Sequence, residues 1–128
     1  MIGRLHHVVV DCPDPVALAA FWSTVLGLPV TFRSQDWVVV SRDATTSGLA
    51  FQLAPDHRPP RRGDPDRPQQ LHLDVMVDDV RGAGEAVLAL GATRLDDAGS
   101  VFADPAGHPF CLVSRPGWAS PVGATPRP

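Results

Sequence analysis

With 128 residues, 44% of them apolar and 20% charged, the chain has material for one hydrophobic core and not for two independent ones. Eleven arginines, no lysine and 14 acids leave a formal net charge of −3, so there is no basic surplus for nucleic-acid phosphates or an anionic membrane. Thirteen of the acids are aspartates and Glu85 is the single glutamate, so any chemistry that needs a glutamate depends on that position.

The valine-rich run at 5–11 predicts a strand, stopped by Cys12-Pro13-Asp14-Pro15. Asp14 is placed to cap a helix with Pro15 at its first position, and Val16, Leu18, Ala19, Phe21, Trp22, Val25 and Leu26 recur at helical spacing until Gly27. Phe21 and Trp22 are expected in the core. Residues 30–32, 37–40 and 48–53 read as three strands parted by polar turns, and Trp37 either walls a cavity or packs. Residues 55–70 hold five prolines, four arginines and three aspartates without periodicity, which predicts an exposed loop with interleaved charges.

The pattern then restarts. Residues 71–77 predict a strand, Asp78 or Asp79 caps a helix carrying Val80, Ala83, Val87, Leu88 and Leu90, and Gly91 ends it. Residues 93–95, 101–103 and 110–113 supply three more strands, and 116–128 reads as an extended tail. In the turn before the last strand, His108 is expected to tolerate a left-handed backbone.

Setting LHHVVVDCPD beside LHLDVMVDD places His7 opposite His72, Val10 opposite Val75 and Leu26-Gly27 opposite Leu90-Gly91, at an offset of about 64 to 65 residues. The expected fold is α+β: two tandem βαβββ modules, 4–54 and 71–114, joined by the Pro-rich loop 55–70 within a domain spanning 1–115. A curved mixed sheet would surround a cavity, with helices on its outer face. Strand alternation puts Val8, Val10, Leu73, Val75 and Val77 beneath the helices. His7, Val9, His72, Asp74 and Met76 take the opposite face, where a small ligand would sit.

Cys12 and Cys111 fit neither a CxxC spacing nor a disulfide framework. The N-terminus lacks an apolar signal core, and every apolar run is far below the roughly 18 to 20 residues of a membrane span. A cytoplasmic protein with reduced thiols, and with no nucleic-acid or membrane partner, is expected.

The helix pattern of Asp14, Leu18, Phe21-Trp22 and Leu26-Gly27, the element Asp104-Pro105-Ala106-Gly107-His108-Pro109-Phe110, and His72-Leu73-Asp74 together resemble the vicinal oxygen chelate superfamily. That superfamily contains glyoxalase I, extradiol dioxygenases, fosfomycin-resistance transferases and bleomycin-resistance proteins. The likeness spans about residues 5–114 and implies a small-molecule ligand and a homodimer. In its metalloenzymes four positions, from the first and last strand of each module, hold a divalent ion. Counted from the motifs, these fall on His7, Gln52, His72 and Cys111, with glutamate the common residue where Gln52 and Cys111 stand.

Two neutral histidines and a neutral glutamine give a hard ion such as Mg²⁺ no compensating negative charge. A His, His, Cys set with Gln as fourth donor suits Zn²⁺ better, with Asp74 as a further oxygen ligand or a partner to an imidazole. Glu85, on the second helix, lies across the sheet and cannot substitute.

The resemblance thus implies a small-molecule-binding protein of the glyoxalase/bleomycin-resistance type. Its pocket would be lined by His7, Val9, Gln52, His72, Asp74 and Cys111, working without a tightly bound metal or other cofactor. The alternative is a metal-dependent lyase, isomerase or dioxygenase with His7 and His72 among its ligands. In a metal-free enzyme His72 and Asp74 would be the catalytic base and its orienter. Cys111, between Phe110 and Leu112, reads as a small core residue rather than a nucleophile.

Overall fold

In the computed structural model, which describes residues 1–123, the Asp14 carboxylate accepts the Ala17 N–H at 3.1 Å and starts helix α1 (Pro15–Leu26). Pro15 has no N–H to leave unsatisfied in that first turn, which is why the chain turns helical there. The chain divides at Pro59 and Pro60, inside the Pro-rich loop, into two compact units.

The first unit runs β1 (His7–Cys12), α1, β2 (Val30–Arg33), β3 (Trp37–Val40) and β4 (Gly48–Leu53). Its four strands form one mixed sheet in the order β1-β4-β3-β2. β1 and β4 run parallel, with His7 opposite Gly48, Val9 opposite Ala50 and Asp11 opposite Gln52. The β2–β3 ladder shifts register between Val30 and Phe32. One face buries Cys12, Val38, Val40 and Phe51 together with Leu18, Phe21 and Trp22 of α1, which packs against β3 and β4. Phe21 and Trp22 meet edge to face with ring centroids 5.4 Å apart. Alternation places His7, Val9, Asp11, Trp37, Val39, Ala50 and Gln52 on the other face. Gly48 allows the strands to converge, since a Cβ there would lie 2.2 Å from the Val40 carbonyl oxygen.

The second unit repeats the plan with β5 (Leu73–Val77), α2 (Val80–Ala89), β6 (Thr93–Arg94), β7 (Val101–Ala103) and β8 (Pro109–Ser114), in the order β5-β8-β7-β6. Asp79 caps α2 by accepting the Arg81 N–H at 3.1 Å. The core is built on Val87, Leu112 and the stacked rings of Phe102 and Phe110, 5.7 Å between centroids. Hydrogen bonding thus divides the eight strands into two four-stranded mixed sheets, one per module, and neither closes on itself.

At the β7–β8 turn the buried Asp104 carboxylate accepts the N–H groups of Ala106 at 2.9 Å and His108 at 3.0 Å. The left-handed residue of this turn is Gly107, at φ 90°, and not His108 as expected; no described residue other than glycine has a positive φ. A glycine adopts that conformation without Cβ strain, which leaves His108 in an ordinary backbone region.

The loop at 55–70 has neither helix nor strand, yet it is hydrogen-bonded to itself: Arg61 N–H donates to Arg67 O at 2.9 Å, and Arg67 N–H to Asp64 O at 3.1 Å. After β8 the Arg115 guanidinium reaches both the Asp78 carboxylate and Ala119 O, and the Val122 N–H donates to Asp78 at 3.0 Å. The tail expectation extends to 128, and its last five residues lie outside the described residues. Among the described residues no helix is long and apolar enough to cross a membrane.

Candidate functional site

The face of the first sheet that carries His7 opens into a cavity of about 600 Å³. His6, His7, Thr31, Phe32, Trp37 and Ser41 are among its walls, and among the described residues no acid or arginine lines it. Trp37 and Val39 point there by alternation along β3, and Phe32 joins them as the residue paired with Val39. Thr31 Oγ1 and Ser41 Oγ are 2.7 Å apart, and Ser41 donates to Asp43 O at 2.8 Å, which fixes the hydroxyl wall. The rings of His6 and His7 lie 3.9 Å apart between centroids.

His7 Nδ1 accepts the Gly48 N–H at 3.1 Å, so the neutral ring carries its proton on Nε2. Burial, and then the neighbouring His6, hold its pKa below the ordinary histidine value. Val9 and Gln52 share the sheet face with His7 but are not among the cavity walls. Gln52 pairs with Asp11, four positions beyond His7, or about 13 Å along the strand at roughly 3.3 Å per residue. The register therefore does not bring His7 and Gln52 together around one ion.

In the second unit, by contrast, three donors converge. His72 precedes β5 and Asp74 lies two residues on, with the imidazole Nε2 3.2 Å from Asp74 Oδ1. Cys111 on β8 is the register partner of Asp74 across the parallel strand pair. One ligand atom from each of His72, Asp74 and Cys111 lies within 4.8 Å of the others. Gln69 Nε2 stands 3.2 Å from His72 Nδ1, so both ring nitrogens are engaged. Burial first, then the Asp74 and Asp96 carboxylates, push the Cys111 thiol pKa up, with Arg62 opposing. That polarity is the reverse of an activated thiolate, which needs a cationic partner.

Sequence reasoning reached Asp74 by alternation and His72 by the repeat, but missed Gln69, Phe32 and the hydroxyls of Thr31 and Ser41. Gln69 belongs to a loop read as solvated, and the β2 residues reach the cavity through a register shift that no periodicity announces.

A family model for a glyoxalase-like domain matches residues 7–113. The chain belongs to the glyoxalase-like domain family. No curated protein matches it. A glyoxalase/bleomycin resistance protein/dioxygenase family enzyme from Burkholderia phytofirmans PsJN superposes with a TM-score of 0.65 at 18% identity, over 86% of this chain and 97% of that one. A glyoxalase-related enzyme from Fulvimarina pelagi gives 0.64 at 18% identity, over 92% of each chain. A bleomycin-binding protein solved with bleomycin gives 0.53 at 19% identity, over 89% of this chain and 99% of that one. At these identities the likeness shows the fold.

Glyoxalase-like folds imply a divalent ion, and the donors here can be tested against one. In the first module the residue related to Cys111 by register is Ala50, opposite Val9, which offers no ligand. In the second module the imidazole, carboxylate and thiol form a mixed N, O, S set that fits a borderline ion such as Zn²⁺ and not the oxygen shell of Mg²⁺.

Proposed function

We propose that this glyoxalase-like protein binds a small, flat, uncharged organic molecule in the cavity on the His7 face of its first sheet, and that this binding requires no metal ion. The observation that carries the reading is the cavity of about 600 Å³, a volume suited to a small ligand. Phe32, Trp37 and the His6–His7 pair offer ring faces and edges for stacking. Thr31, Ser41 and Thr46 offer hydroxyls for one or two polar groups. With no acid or arginine among the described wall residues, an ionic ligand would lose hydration without gaining a counter-charge from them. The bleomycin-binding protein among the structural relatives supports small-molecule binding on this fold.

The alternative, a metal-dependent lyase, isomerase or dioxygenase, would draw on His7, Gln52, His72 and Cys111. The separation of His7 from Gln52 along their strands favours the binding reading.

The test is calorimetric titration of the purified chain, in EDTA, with indole, coumarin and quinoxaline. The expected result is saturable binding of at least one probe, weakened about tenfold by Trp37→Ala, equivalent to about 1.4 kcal/mol of stacking, and left unchanged by Glu85→Gln on α2. Absence of binding, or an affinity that Trp37→Ala leaves unaltered, overturns the reading.

A further inference from the structure

We propose that the cavity of the first module selects a ligand by hydrogen-bond polarity: an N–H or O–H donor faces Thr31 on β2, and an acceptor faces His7 on β1. The inference rests on the reading that this cavity binds a flat, uncharged molecule, and it narrows the chemical class of that molecule. A hydroxyl has one proton and two lone pairs, so one whose proton is already committed can only accept from a ligand.

The wall hydroxyls belong to Thr31, Ser34, Ser41 and Thr46, and each has its proton committed within the protein. Ser41 donates to Asp43 O at 2.8 Å, which uses its one proton. The 2.7 Å contact between Thr31 Oγ1 and Ser41 Oγ must then run from Thr31 to Ser41. Thr46 donates to Asp43 Oδ1 at 2.8 Å. That bond, with those from Thr45, holds Asp43 below the ordinary aspartate range, so it is a carboxylate that only accepts. Ser34 receives the Trp37 N–H at 3.1 Å and donates to Trp37 O at 3.1 Å. A ligand acceptor set against these oxygens meets lone pairs, or must first break an internal bond to obtain a proton. A ligand donor meets no such cost.

The side-chain donors left among the described wall residues are ring N–H groups. That of His7 is fixed, because Nδ1 accepts the Gly48 N–H and the neutral ring keeps its proton on Nε2. β1 and β2 are the outer strands of the order β1-β4-β3-β2, about 14 Å apart at roughly 4.8 Å per strand spacing. Two hydrogen bonds of about 2.9 Å and the reach of the two side chains leave the width of one ring between them. A ring with its donor and its acceptor at opposite ends, as in a vinylogous amide, satisfies both edges.

The experiment titrates the purified chain, in EDTA, with 4-quinolone, with chromone, in which a ring oxygen replaces the N–H, and with 1-methyl-4-quinolone. The expected result is 4-quinolone bound at least about tenfold more tightly than either analogue, since a site built to pair an N–H discriminates against its absence. Thr31→Val, which keeps the side-chain shape and removes the acceptor, should reduce that preference to about twofold while chromone affinity holds, and Thr31→Ser should retain it. Trp37→Ala should weaken all of the probes together. Circular dichroism checks the fold of each variant, and the comparison of probes on the unaltered chain needs none. Equal affinities that still depend on Trp37 overturn the polarity and leave the cavity reading standing, as does a full preference that persists in Thr31→Val. Absence of Trp37-dependent binding of any probe overturns both.

Discussion

Asp74 and Cys111 are register partners across the β5–β8 pair, and the Asp74 carboxylate stands 3.2 Å from the His72 imidazole. A nucleophilic cysteine needs the imidazole next to the sulfur. Here burial and then the charge of the Asp74 carboxylate oppose thiolate formation. Asp74→Asn is therefore predicted to lower the Cys111 pKa, which moves the pH midpoint of iodoacetamide alkylation downward. Cys12 is fully buried and does not contribute to the folded protein's reaction. A midpoint that rises or stays fixed contradicts the arrangement.

His7 yields a second prediction. Its folded pKa lies below the ordinary histidine value of about 6.5, so between the two values the unfolded chain binds more protons than the folded one. Stability contributed by His7 is then present above pH 6.5 and declines as pH falls below it. His7→Gln, which keeps a side-chain acceptor near the Gly48 N–H, should flatten that part of the profile of thermal midpoint against pH. An unchanged slope assigns the effect to other groups.

Gly48 is predicted to tolerate no side chain. A Cβ at 2.2 Å from the Val40 carbonyl oxygen forces β3 and β4 apart, and Gly48→Ala should cost roughly 3 kcal/mol in denaturant unfolding. The same shift moves the N–H that orients His7, so the His7 imidazole resonances should change as well. Near-native stability would show that the strands have room to part.

The buried Asp104 carboxylate holds the β7–β8 turn by accepting two backbone N–H groups, and its loss takes the acceptor from both half-buried donors. Asp104→Ala is expected to destabilise by roughly 2 to 3 kcal/mol. Asn, which keeps one acceptor oxygen, should recover part of this in the same unfolding assay.

Much of this structure is legible in the residues because its signals are local. Pro15 and Gly27 bracket α1, Asp79 starts α2, and alternation alone sends His7 and Trp37 to one sheet face and Asp74 to another. What escaped depends on register, which is a pairing property that a single strand does not encode. Motif counting set Gln52 beside His7 as a fellow ligand, whereas parallel pairing carries it to Asp11. The bulge that brings Phe32 and Thr31 to the cavity, and the loop that brings Gln69 to His72, arise from contacts made only once the sheets exist. The turn sequence alone leaves the left-handed position open to His108, yet Gly107 beside it takes that conformation at less cost.

The account turns on where the ligand binds, and backbone amide shift mapping tests that most directly. The isotope-labelled chain, in EDTA, is titrated with the tightest of indole, coumarin and quinoxaline. Shifts concentrated on Phe32, Trp37, Val39 and Ser41 are the predicted result. Shifts confined to His72, Asp74 and Cys111, or binding that vanishes with the chelator, would contradict it.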